Sequence, residues 1–268
     1  LFSAGEGGGG AGITGGKGTV ASDTAAVIVA VGAIGRMIYL YQWYSPLKLL
    51  LSRPAPPEVT ALVEEVRALP PGGRVMLEDS GDMDTQGCGQ VFGGTQMAAN
   101  FGLMTGREFI GGPYPYVYLD YRYASFADGR AFGRWLVDFL PGELMEELRV
   151  FDVKWIVCWS AQSKGYFDNY GGHFRHDRDV GPFGIYEVKG YTPGKLLEGN
   201  ADVSAGYGWI KVSGAEAVDG GLVLKYQWPE VYRTRPEGVQ LEKYTGEGGP
   251  AGLINVIDPP AEFEILVP

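Results

Sequence analysis

Twice in this chain an amphipathic helix pattern runs straight into a short apolar strand pattern. Residues 58–69 set Val59, Leu62, Val63 and Val66 on one helical stripe, with Glu64, Glu65 and Arg67 outside it. Pro70-Pro71-Gly72-Gly73 stops that helix, and Arg74 to Leu77 then reads as a buried strand ending at Glu78-Asp79. Residues 141–149 repeat the device, with Leu144, Met145 and Leu148 inward, and lead into the strand Val153 to Trp159. Helix-strand followed later by helix-strand calls for a small parallel sheet with covering helices. Its strands end at Glu78, Asp79, Trp159 and Ser160, where open α/β sheets place their ligands.

From Gly181 the period changes. Residues 183–188, 208–212, 221–228, 252–257 and 263–267 read as short strands separated by glycine and proline, with an Asp219-Gly220 turn before the third. That spacing predicts an antiparallel β-sandwich of jelly-roll type, and the 43 glycines and 17 prolines of the 268 residues suit so many turns. The fold expected is α/β plus all-β: an α/β domain over 58–180, then a sandwich over 181–268.

The N-terminal part differs in kind. Residues 1–23 are dominated by glycine and are expected to be a flexible segment. Gly10-Ala11-Gly12-Ile13-Thr14-Gly15 matches a dinucleotide-binding pattern in letters only, because no strand precedes it. Residues 24–35 carry no charge, Arg36 interrupts, and a run with Tyr39, Tyr41, Trp43 and Tyr44 follows, which makes 24–51 a candidate transmembrane helix with an aromatic cluster. Arg36 opposes that reading, since a central arginine costs about 2.5–3.5 kcal/mol on insertion scales. Pro54 to Pro57 form an extended hinge. A chain opening at Leu1 without an initiator methionine is expected of a processed product or a fragment, and no signal peptide is seen.

Composition narrows the function. A net charge of −10 with no Lys/Arg stripe argues against a nucleic-acid partner. Cys88 and Cys158 are too few for a disulfide framework; buried free thiols are favoured over one bridge. His173 follows Tyr170-Gly171-Gly172 and His176 falls in the polar run 175–179; these surroundings read as a surface loop and not a metal site, and no cofactor motif stands.

Several motifs belong together. They are Arg74-Val75-Met76-Leu77-Glu78, the loop Gly106-Arg107-Glu108-Phe109-Ile110-Gly111-Gly112-Pro113-Tyr114-Pro115, and Ala124-Ser125-Phe126-Ala127-Asp128-Gly129-Arg130 with Phe132-Gly133. Val153-Lys154-Trp155-Ile156-Val157, Gly181 to Glu187 and Ile257-Asp258-Pro259-Pro260 complete the set. Over residues 58–268 it resembles the C-terminal extracytoplasmic region of GT-C-type glycosyltransferase-like polytopic membrane proteins. The resemblance implies a membrane-anchored domain on the extracytoplasmic face, acting in cell-envelope glycan assembly. Its partners would be membrane lipid or a lipid-linked glycan, together with a polytopic membrane domain that this chain does not contain. The family's catalytic acid lies in that domain, so no catalytic residue is carried over.

Candidate binding residues follow from chemistry. Arg107, Glu108, Tyr114 and Tyr116 combine a phosphate-clamping guanidinium with aromatic faces, as a lipid-phosphate sugar would require. Glu78, Asp79 and Trp159 stand at the strand ends. Two alternatives compete with the membrane-module reading. One is a free carbohydrate-binding module stacking sugars on Trp209, Tyr226, Trp228 and Tyr232. The other is a hydrolase built on the acidic loop with Glu78 and Asp79.

Overall fold

The computed structural model describes residues 57–78, 97–111, 125–206, 208–245 and 252–267. By contacts the chain divides into Leu1–Pro54 and Ala55–Pro268, and all described residues belong to the second unit. The glycine-rich segment, the candidate membrane helix, the prolines at 54–56, and Asp79, Cys88, Tyr114 and Tyr116 lie outside the described residues. No helix among the described residues is long and apolar enough to cross a membrane.

The expected α/β architecture is present. Helix α1 (Pro57–Ala68) leads to β1 (Arg74–Leu77), α2 (Met97–Thr105) to β2 (Phe109–Ile110), and α3 (Pro141–Val150) to β6 (Val153–Cys158). Between β2 and α3 a small antiparallel sheet holds β3 (Phe126–Ala127), β4 (Arg130–Ala131) and β5 (Arg134–Trp135). Helix α4 (Ala161–Asn169) follows β6 and precedes β7 (Phe174–Val180) and β8 (Phe183–Val188). The main sheet has the order β2-β1-β6-β8-β7, parallel over its first three strands and antiparallel over the last two.

Strand alternation explains the two faces. Met76, Ile156, Cys158 and Tyr186 point to one side, onto Leu144, Met145 and Leu148 of α3 and Tyr166 and Phe167 of α4. Val75, Leu77, Trp155, Val157 and Ile185 point to the other, onto Val59, Leu62, Val63 and Val66 of α1 and Phe101 of α2. Two arginines cap these helices reciprocally. Arg107 donates to the carbonyls of Leu69 and Pro70 past the end of α1, and Arg67 donates to Met104 O near the end of α2. Cations at helix C-termini complement both the unpaired carbonyls and the dipole.

The second half is an antiparallel sandwich. One sheet has the order β10 (Asn200–Gly206), β11 (Trp209–Glu216), β16 (Glu262–Leu266), β13 (Arg233–Arg235). The other runs β14 (Gln240–Tyr244), β15 (Leu253–Ile257), β12 (Gly221–Gln227), β9 (Leu196–Glu198). Ile210, Val212, Phe263 and Ile265 face Leu222, Leu224, Leu241, Ile254 and Val256 across the interior.

Two expectations need correction. Strand 183–188 pairs with β6 and β7, so the α/β half extends to Val188 and the boundary expected at 180/181 falls in the connection to Leu196. The polar run 175–179 is not a loop but part of β7. As the last strand of the sheet it has only one paired side and carries exposed charge on most positions.

Candidate functional site

The strand ends of the main sheet converge on one carboxylate. Glu78 directly follows β1 and is 1% exposed. Its Oε2 accepts from the backbone N–H groups of Trp159 and Ser160 at 2.9 and 3.0 Å. Its Oε1 accepts from Gly129 N at 3.0 Å and from the Ser160 and Ser163 hydroxyls at 2.7 and 2.6 Å. Ser160 is the N-cap of α4, its oxygen accepting from Ser163 N at 3.1 Å. Gly129, at φ 77°, holds a backbone conformation that residues with a Cβ rarely adopt.

The start of a helix beside parallel strand ends is where an α/β sheet usually grips an anion. Here the anion is the chain's own glutamate, with five donors around it. Three of the quoted motifs meet at this point: the strand carrying Glu78, the Asp128-Gly129 turn, and the segment that follows Val153–Val157. Gly111 of the loop motif packs on the same strand. Its φ of 80° and the 2.8 Å from an added Cβ to Leu77 O leave only glycine possible.

A second polar cluster fastens the two halves at the opposite end of β1. Arg74, 7% exposed, donates to Glu108 Oε2 at 2.9 Å, to Phe151 O at 2.9 Å and to Lys225 O at 2.6 Å. Its guanidinium lies 4.5 Å from the centre of the Tyr226 ring, and the Tyr226 hydroxyl donates to Glu108 Oε1 at 3.1 Å. Lys195 pairs with Glu108 at 3.0 Å and faces Asp152 Oδ2 at 3.4 Å, too long for a good hydrogen bond, so that contact is chiefly charge on charge. Asp152, fully buried, accepts from Gly194 N at 2.8 Å. Burial pushes the Glu108 carboxyl up, but Arg74 and Lys195 outweigh it and hold the group below the usual carboxylate range. Burial pushes the Lys225 ammonium down, against the pull of Asp152.

No family model, no curated protein and no solved structure matches this chain. Its chemistry therefore rests on the geometry alone.

Of the residues singled out from sequence, Glu78 and Trp159 come together, through the Trp159 backbone. Arg107 and Glu108 diverge: one caps α1, the other joins the interdomain cluster. Of the rings weighed for sugar stacking, Tyr226, Trp228 and Tyr232 are partly buried and pack against the sandwich core, and Trp209 is 41% exposed. Glu78 is also unsuited to hydrolysis, since a nucleophile or acid must reach substrate and this one is sealed among donors. Among the described residues no three His, Cys, Asp or Glu side chains converge as metal ligands. Cys158 is a free buried thiol; burial first, and the Glu78 charge second, push it well above its ordinary range.

Sequence reading missed Asp152, Ser163 and Lys195. Ser160 with Ser163 three residues on was the one available signal, a capped helix start.

Proposed function

We propose that this chain is an extracytoplasmic, non-catalytic module of a membrane glycosyltransferase-like protein, serving cell-envelope glycan assembly by holding a lipid-linked or nascent glycan in place. The observation that carries the reading is the Glu78 junction. Three of the motifs behind the resemblance converge there, and they converge on architecture: a sheet whose ligand end is closed by its own carboxylate is a framework. The Arg74–Glu108–Lys195 cluster supports the same reading, because it makes the α/β half and the sandwich a single stiff body suited to positioning. The reaction belongs to a polytopic membrane domain outside this chain.

The test is to incubate the full chain, in phosphatidylethanolamine/phosphatidylglycerol vesicles, with a polyprenyl-phosphate hexose, and to follow co-sedimentation and sugar release together. Co-sedimentation without release is the expected result. Sugar release that disappears when Glu78 is replaced would overturn the reading in favour of a hydrolase.

A further inference from the structure

The outer face of the sheet β14-β15-β12-β9 carries a cavity of about 300 Å³ that the Glu78 junction and the interdomain cluster do not use. Leu222, Leu224, Ile254 and Val256 turn inward, so alternation sends Val223 and Asn255 outward. The register sets Val223 opposite both Glu198 and Asn255. Val223 is nevertheless 1% exposed. Tyr244 and Glu198 account for this together: the tyrosine hydroxyl, coming from β14, donates to Glu198 Oε1, coming from β9, at 2.9 Å, so the two side chains meet over the strands between them.

The cavity lies along this span, with Val223 and Ile257 beneath it and Asp219, Asn255 and Asp258 among its polar walls. Glycine keeps it open: a Cβ on Gly220 would stand 3.2 Å from Asp258 Oδ1, and one on Gly221 3.1 Å from Asn255 Oδ1. Asn255 Oδ1 is shut from solvent at the cavity wall and accepts no hydrogen bond. Buried acceptors are seldom left so.

We propose that this cavity binds a neutral hexopyranose unit of a glycan. An aliphatic floor and a tyrosine ring suit the C–H face of a sugar, while carboxylates and an amide accept from its hydroxyls. Among the described residues no lysine or arginine lines the cavity, which disfavours a phosphate or an acidic sugar. The ligand class rests on the glycan reading above, but the site stands on its own geometry.

The experiment is saturation-transfer NMR on the detergent-solubilised full chain with the methyl glycosides of glucose, mannose, galactose and N-acetylglucosamine. At least one glycoside binds, and Gly221→Ala weakens it roughly tenfold, the loss of about one good contact. Asp258→Asn, at a surface position, weakens the same glycoside with an unchanged melting temperature, which excludes misfolding as the cause. Failure of all four glycosides, equal binding by both variants, or binding of calcium ion alone would each overturn the site. Membrane retention does not enter this assay, so a lost site and a lost membrane reading are separate outcomes.

Discussion

Replacing Glu78 with glutamine keeps the shape of the side chain and exchanges one acceptor oxygen for an N–H₂ group. At the Oε2 position that nitrogen would face two fixed backbone donors, Trp159 N and Ser160 N. At the Oε1 position it faces one fixed donor, Gly129 N, and two hydroxyls that can rotate to accept. The amide therefore settles with nitrogen on the Oε1 side and forfeits the Gly129 bond. A hydrogen bond to a charged group is worth about 1.5–3 kcal/mol, and a buried orphaned donor costs about 1–3 kcal/mol. These overlap in part, so Glu78→Gln should destabilise by roughly 2–4 kcal/mol. Ser163→Ala removes one hydroxyl donor and leaves four, and should cost about 1–2 kcal/mol. Glu78→Ala orphans all five donors and should exceed both. Urea unfolding of the full chain, read by tryptophan fluorescence, measures the series. A Glu78→Gln loss within about 0.5 kcal/mol of zero, the range of an ordinary surface change, would refute the junction's structural role.

Other expectations follow from the interdomain cluster and the buried thiol. Arg74→Met should destabilise by about 2–4 kcal/mol, because it strands the Phe151 and Lys225 carbonyls and leaves Glu108 with only Lys195 and Tyr226, with urea unfolding as the check. Glu108 is held below its ordinary value of 4.5 in the folded chain, so the unfolded chain binds the proton more readily. Its stabilising contribution is complete above that value and is lost as pH falls below it; Glu108→Gln should flatten the acid limb of the stability–pH curve, and an unchanged slope would refute the assignment. Cys158, buried and with its thiol pushed up, should resist a disulfide reagent in native buffer and react only on unfolding, which mass mapping of the labelled peptide would show.

Local periodicity made part of this fold legible. Helices α1 and α3 carry a clear apolar stripe, and strands β1 and β6 are apolar apart from Arg74 and Lys154, because both faces of the sheet centre are covered. Strand β7 escaped notice for the converse reason: at the sheet edge Arg175, His176, Asp177, Arg178 and Asp179 need no apolar cover, and the run looks like a loop. Helix α4 begins Ala-Gln-Ser-Lys-Gly, and its few buried positions are filled by Ser163, Tyr166 and Phe167, too weak a stripe to announce itself. Strand β8 was visible as a strand, but its pattern does not say which sheet it joins.

The site was less legible than the fold. Glu78 could be placed at a strand end, yet its donors lie 51 to 85 residues away along the chain. Arg107 and Glu108 were adjacent in a charged loop and were read as a pair facing a ligand. Consecutive residues on a chain leaving a helix can point in different directions, and these two serve different partners. Nothing local encodes that division.

The most direct measurement concerns where the chain resides. Membranes from cells producing the full chain should be washed with alkaline carbonate and then treated from outside with protease. Retention in the membrane, with fragments from residues 58–268 released by external protease, is the result expected of an extracytoplasmic membrane module. Complete release into the soluble fraction would contradict it and leave a free glycan-binding protein in its place.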